Sequence, residues 1–167
     1  AWMPKPIDAG GIGPALIAGT ILGKNVVDAI EANDVSEKGL WQYNLDFIEE
    51  YGYKTAGLEL FRRLVQTLTN EQISYGMKHF LGNVDVEAIS KGEHPDFSGL
   101  TKLGMIIRGA MNKTVANGLK YTSEQNQWLV EHYRNYPKDP GGFEEWNKSL
   151  LKTLDESFAK IASFAKN

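Results

Sequence analysis

Cysteine is absent from the 167-residue sequence, so a disulfide scaffold, a thiolate zinc site, a cysteine nucleophile and a dithiol redox motif are all excluded. The absence also fits a reducing cytoplasm, the location expected here. An excess of positive charge is lacking too: 18 Lys plus Arg stand against 21 Asp plus Glu, for a formal charge of -3. No whole-molecule field then favours a polyanion, and no nucleic acid is expected as a partner. No apolar run reaches the ~20 residues of a spanning helix. The longest weakly polar stretch, Ala15 to Gly23, is interrupted by Thr20 and stopped by Lys24. A basic region followed by an apolar run and a cleavage site is missing, so no export signal is visible. No segment alternates long enough for a strand; Val84 to Val86 comes nearest.

What the chain has in quantity is apolar and aromatic surface. Four Trp, seven Tyr and seven Phe with only 23% charged residues are too much for a disordered chain, and the length suits one core. Pro4, Pro6, Gly10, Gly11 and Gly13 make the opening a loop, and Gly13-Pro14 predicts a helix start, because proline at the first helical position lacks an N–H that would be orphaned there. Apolar residues from Ala15 to Ile30 cover most of the circumference, which predicts a helix buried on nearly all sides. Gly19 and Gly23 share one face and would let another backbone approach.

Asp34 with Glu37 has capping-box spacing before a second helix that Gly52 should end, and Thr69 with Gln72 has it again before a helix over 70–81. Between them, 54–68 repeats the helical period. A short turn over 85–90, a loop through Gly92, Pro95 and Gly99, and a helix over 100–116 follow. Ser123 should cap the next helix, which Pro137, Pro140, Gly141 and Gly142 stop. The last segment, from Phe143, is a long amphipathic helix with Lys148, Lys152, Glu156 and Lys160 outward. The expected fold is all-α, an irregular bundle of roughly seven helices.

Chemistry-bearing residues are sparse. His79, His94 and His132 are too far apart for a local metal site and read as hydrogen-bonding imidazoles, so no metal ligand is assigned. Glu49-Glu50, Glu144-Glu145 and Asp155-Glu156 diverge on a helix and make no acid/base dyad. Arg62-Arg63 could grip an anion or reach to water. The distinctive feature is Asp8-Ala9-Gly10-Gly11-Ile12-Gly13-Pro14-Ala15, a glycine loop delivered onto a helix start. Free N–H groups and the helix dipole favour an anion or carbonyl there. By spacing alone, a tight structural turn serves as well, since neither a Gly-x-Gly-x-x-Gly fingerprint nor a P-loop is present.

The run Trp2-Met3-Pro4-Lys5-Pro6-Ile7-Asp8-Ala9-Gly10-Gly11-Ile12-Gly13-Pro14-Ala15-Leu16, with Ala18-Gly19, resembles the geranylgeranyl reductase family of FAD-dependent oxidoreductases, above all archaeal members acting on isoprenoid lipids. Leu40-Trp41-Gln42-Tyr43-Asn44, then Tyr51-Gly52, is similar to the helix that follows in these enzymes. The resemblance is clearest over residues 1 to about 60 and extends through Ala116.

The resemblance implies a C-terminal part of a larger α/β flavoprotein. Residues 1–14 would be a glycine-rich flavin-contacting loop and 15–167 a helical C-terminal domain, with Ala1 the last trace of a Gly-Asp-Ala motif. Gly10, Gly11, Ile12, Gly13 and Pro14 would lie beside FAD, the N–H groups of Gly11, Ile12 and Gly13 near a ring carbonyl or the pyrophosphate. The family's βαβ unit and ribose ligand precede this segment, so the chain alone is expected neither to hold FAD tightly nor to turn over substrate. No catalytic residue is assigned. The implied partners are the N-terminal flavin-binding portion of the same protein and a prenyl or isoprenoid substrate, which Leu100 to Ala116 could help to wall. The apolar first helix adds a homodimer and peripheral contact with a membrane as expectations. The alternative is a self-standing all-α protein-interaction module with no catalytic activity.

Overall fold

The computed structural model describes residues 4–6, 9–79 and 113–164. Among them every regular element is helical. The first, α1, runs Ile12–Glu31, and α2 runs Gln42–Phe47. A π turn, Ile48–Gly52, and a last α turn, Tyr53–Thr55, continue α2. Then come α3 (Leu58–Thr67), α4 (Asn70–His79), α5 (Lys113–Arg134) and, after a 3-10 turn over Pro140–Gly142, α6 (Phe143–Phe164). The all-α class is as expected. Five helices of ten or more residues, rather than seven, are present among the described residues. The turn over 85–90, the loop at Gly92–Gly99, His94 and the helix over 100–116 as far as residue 112 lie outside the described residues.

The core forms where α3, α5 and α6 meet. Leu60 and Leu64, one helical turn apart on α3, are fully buried against Leu129 of α5 and Leu150, Leu154 and Ile161 of α6. The stripe expected on α6 is therefore the one that buries, and Lys148, Lys152, Glu156 and Lys160 are exposed. Close approach of α3 to α5 depends on Gly118, where a Cβ would lie 2.5 Å from Leu64 Cδ1.

Several punctuation signals act differently from their sequence reading. Gly52 does not end a helix: its φ of -60° is helical, and the chain passes through the π turn to Thr55, whose hydroxyl donates to the carbonyls of Tyr51 and Gly52 at 3.2 and 3.3 Å. Ser123 caps nothing. It is buried in the interior of α5, which runs unbroken across the expected gap because Gly118 packs against a neighbour instead of turning. Asp34 and Glu37 form no box; Asp34 Oδ1 accepts from the Ser36 N–H at 3.1 Å and from its hydroxyl, and α2 starts only at Gln42. Here a two-residue Asx turn outcompetes the helix start.

Two signals act as read. Pro137 to Gly142 separates α5 from α6, with Asp139 Oδ1 accepting from the Gly141 N–H at 2.9 Å. The Thr69–Gln72 box closes in both directions: Thr69 N–H donates to Gln72 Oε1 at 2.8 Å and Gln72 N–H to Thr69 Oγ1 at 3.3 Å. Thr69→Ala is accordingly expected to lower stability by about 1 kcal/mol, measured as a reduced urea midpoint at unchanged slope.

Candidate functional site

The glycine loop and the helix it opens form the candidate site. Lys5 N–H donates to Gly10 O at 3.1 Å and Ala9 N–H to Lys5 O at 2.9 Å, closing a small loop just before α1. Ala9 sits at φ 56°, a left-handed conformation that costs an L-residue about 1–2 kcal/mol. Strain of this kind collects at functional turns. The helix begins at Ile12, so Pro14 is its third residue and not its first; its missing N–H is still one of the four that α-helix geometry leaves unpaired. Gly11 stands at the N-cap with no side-chain cap hydrogen bond.

The space around these backbone groups is open. A Cβ on Gly11 would meet nothing nearer than Ala9 O at 3.9 Å, and one on Gly13 nothing within 4 Å. Gly10, Ile12 and Gly13 are exposed, Gly11 half-buried and Pro14 buried. The residues thus fit one edge of a flat, carbonyl-bearing group such as a flavin: outward N–H donors, a favourable dipole and no side chain in the way.

Burial of α1 differs from expectation. Only Pro14, Ala18, Asn25 and Ala29 are buried, along one face, which packs on α2. Asn25 fixes that contact by donating from Nδ2 to Asp46 Oδ2 at 2.9 Å, and this bond holds the Asp46 carboxyl below its usual range. The opposite flank carries Ile12, Leu16, Gly19, Gly23, Val27 and Ile30 at helical spacing, all exposed; Ile12 is 81% exposed. Among the described residues nothing lies within 4 Å of the Cβ positions of Gly19 or Gly23. An all-round apolar sequence predicts burial but not by what, and α2 covers only one side. The helix ends in a Schellman motif, Asp34 N–H to Ala29 O at 2.9 Å and Asn33 N–H to Ile30 O at 3.0 Å, with Asn33 left-handed at φ 53°.

Elsewhere, Arg62 and Arg63 do grip a carboxylate, one from their own helix. Arg62 Nε donates to Glu59 Oε2 at 2.7 Å and Arg63 Nε to Glu59 Oε1 at 2.9 Å, while the Arg63 guanidinium also lies 4.6 Å from the Phe158 ring centre. Burial alone would raise the Glu59 carboxyl, but the two guanidinium groups outweigh it and leave it below its ordinary 4.5. A lowered folded-state value gives stability that is complete above the ordinary value and lost as pH falls through the lowered one. Glu59→Gln should therefore unfold at a lower temperature than the parent at neutral pH, with the gap closing as the pH is taken down through the carboxylate range.

His132 is the described histidine with a clear role. Its ring stacks between Trp128 and Trp146 at 4.6 and 4.7 Å. Its Nε2 lies 3.1 Å from Trp146 O, and the Trp146 indole donates back to His132 O at 2.9 Å. Burial pushes the imidazole below its usual range, so the neutral Nε2–H form suits this bond to a carbonyl. It is half-buried and hydrogen-bonded, as the sequence reading supposed. The Trp41 indole joins the cluster by donating to Pro137 O at 2.8 Å. This aromatic assembly was not read from the sequence, although Trp128, His132, Tyr133, Tyr136, Phe143 and Trp146 all lie close to the Pro137–Gly142 turn that folds them together. Among the described residues no group of three acidic or imidazole side chains could hold a metal ion.

No family model matches the sequence. Over 154 residues, however, the chain is 35% identical to the digeranylgeranylglycerophospholipid reductase of Sulfolobus acidocaldarius, a stretch covering 91% of this chain and 34% of that protein. The chain is thus similar to a geranylgeranyl reductase along nearly its whole length. It spans about a third of the length of the curated relative it matches. The relation covers nearly the whole chain and so reaches well beyond the first 60 or so residues, into the α5–α6 half.

Proposed function

We propose that this chain is the C-terminal helical portion of an FAD-dependent oxidoreductase of the geranylgeranyl reductase type, reducing isoprenoid double bonds or transferring electrons. FAD, when bound, supplies the hydride chemistry. This chain's part is to present the N–H groups of Gly11, Ile12 and Gly13 to the flavin and to lay the open flank of α1 on the flavin-binding portion of the protein. The observation that carries the reading is that flank: an uncapped glycine start continued by Ile12, Leu16, Gly19, Gly23, Val27 and Ile30, all exposed, with room at both mid-helix glycines for another backbone. The strained Ala9 and the relation to the Sulfolobus enzyme support it.

A few backbone hydrogen bonds do not offset the ordering of a dinucleotide, so the chain alone is expected to hold FAD weakly and to be catalytically incomplete. The substrate class is an isoprenoid chain. A cytoplasmic protein in peripheral contact with a membrane belongs to the same proposal; among the described residues no helix is long and apolar enough to cross a bilayer. The test is a chimera in which this chain replaces the matched third of the Sulfolobus reductase. It should purify with flavin bound, visible as absorbance near 450 nm, the ordinary flavin band. A folded chimera without flavin would overturn the reading and favour the α1 flank as the docking surface of an independent module.

A further inference from the structure

A cavity of about 340 Å³ lies between the π turn and the pair α5–α6. Its volume falls within the range of about 300–1,000 Å³ typical of small-molecule sites. Leu129, Leu150, Leu154, Phe47, Ile48 and Trp146 give it an apolar body. Set into that body are uncharged polar side chains, among them Asn44, Tyr133, Tyr136 and Asn147. None of their amide or hydroxyl groups has a hydrogen-bond partner among the described residues. Burial raises the Tyr133 hydroxyl, and burial followed by the neighbouring Tyr133 raises that of Tyr136, so both keep their protons and can donate. Glu59 also borders the cavity, but its charge is matched by Arg62 and Arg63. The backbone beside the cavity is irregular as well: Ile48, Tyr51 and Gly52 of the wall belong to the π turn, a feature that recurs at functional sites.

We infer that this cavity binds an uncharged small molecule with an apolar body and one hydroxyl or carbonyl end, that end being held by Asn44, Asn147 and the two tyrosines. An anion is disfavoured because among the described residues no unmatched cation lines the space, and a pure hydrocarbon would leave these four polar groups unanswered. The inference stands apart from the flavin reading, since every group it uses is in this chain and none is in the glycine loop.

The test titrates the nitrogen-15-labelled protein with 1-octanol and, separately, octanoate, following the indole N–H resonance of Trp146. Octanol should give a saturable shift, and octanoate should bind at least about tenfold more weakly. Asn147→Leu should weaken octanol by up to about tenfold, the worth of one hydrogen bond. Ala56→Phe, which fills the cavity from the wall beside Thr55, should abolish the shift. Absence of a saturable octanol shift up to its solubility would overturn the inference. So would octanoate binding as tightly as octanol, or unchanged octanol affinity in Asn147→Leu, which remains decisive if Ala56→Phe fails to fold.

Discussion

Replacing Gly13, Gly19 and Gly23 together by alanine is expected to make this chain more stable by about 2 kcal/mol while abolishing flavin retention in the Sulfolobus chimera. Glycine inside a helix is less favourable than alanine by about 0.8–1.0 kcal/mol, chiefly through backbone entropy. A protein tolerates it where a Cβ would collide with something. At these three positions nothing among the described residues lies within 4 Å of the Cβ site, so no contact among them offsets the entropy. A melting temperature higher by about 4–8 °C is the expected reading for a chain of this size. The same methyl groups would stand between α1 and any backbone or flavin brought against it, hence the opposite sign in the chimera. A lower melting temperature for the isolated triple variant would mean that the glycines serve this chain's own packing.

The second large effect concerns the α3–α5 crossing. Leu64 is fully buried and sits directly over Gly118. Leu64→Ala should lower stability by about 3 kcal/mol, within the 2–5 range for a buried leucine, through lost transfer free energy and the cavity left behind. Gly118→Ala should also destabilise, because its Cβ would lie 2.5 Å from Leu64 Cδ1. The two defects have opposite shapes, one a void and the other an overlap at the same point. The double variant should therefore recover at least about 1 kcal/mol relative to the sum of the singles, as read from urea denaturation of all four proteins. Strict additivity would show that the two residues do not meet.

The Leu64–Gly118 contact also illustrates what was legible in the sequence. Signals that are complete within a few residues could be read directly: the Thr69–Gln72 box, the Pro137–Gly142 stop and the buried stripe of α6 each depend on local geometry. Gly52 and Ser123 act differently from their reading, and Gly118 carried no reading, because a glycine or serine in a helical pattern means either a break or a close contact. Only the tertiary partner decides which; for Gly118 it is Leu64, 54 residues away in sequence and adjacent in space. The glycine loop was legible as a helix entry, and α1 as a helix apolar over most of its circumference. Which face would be covered was not, since periodicity ranks neither Ala18 above Gly19 nor Ala29 above Ile30, whereas α2 selects Ala18 and Ala29. The cavity was invisible for the same reason: Asn44, Tyr133 and Asn147 come from three separate stretches and look like ordinary surface residues until the π turn and the α5–α6 turn bring them together.

We propose above all that the amides opening α1 meet a flavin carried by a portion of protein outside this chain. Residue-resolved hydrogen exchange at Gly11, Ile12 and Gly13 tests it most directly, comparing this chain alone with the flavin-loaded chimera. Fast exchange in the former and slowing by at least about tenfold in the latter is the expected result. Equal rates in the two proteins would contradict the claim.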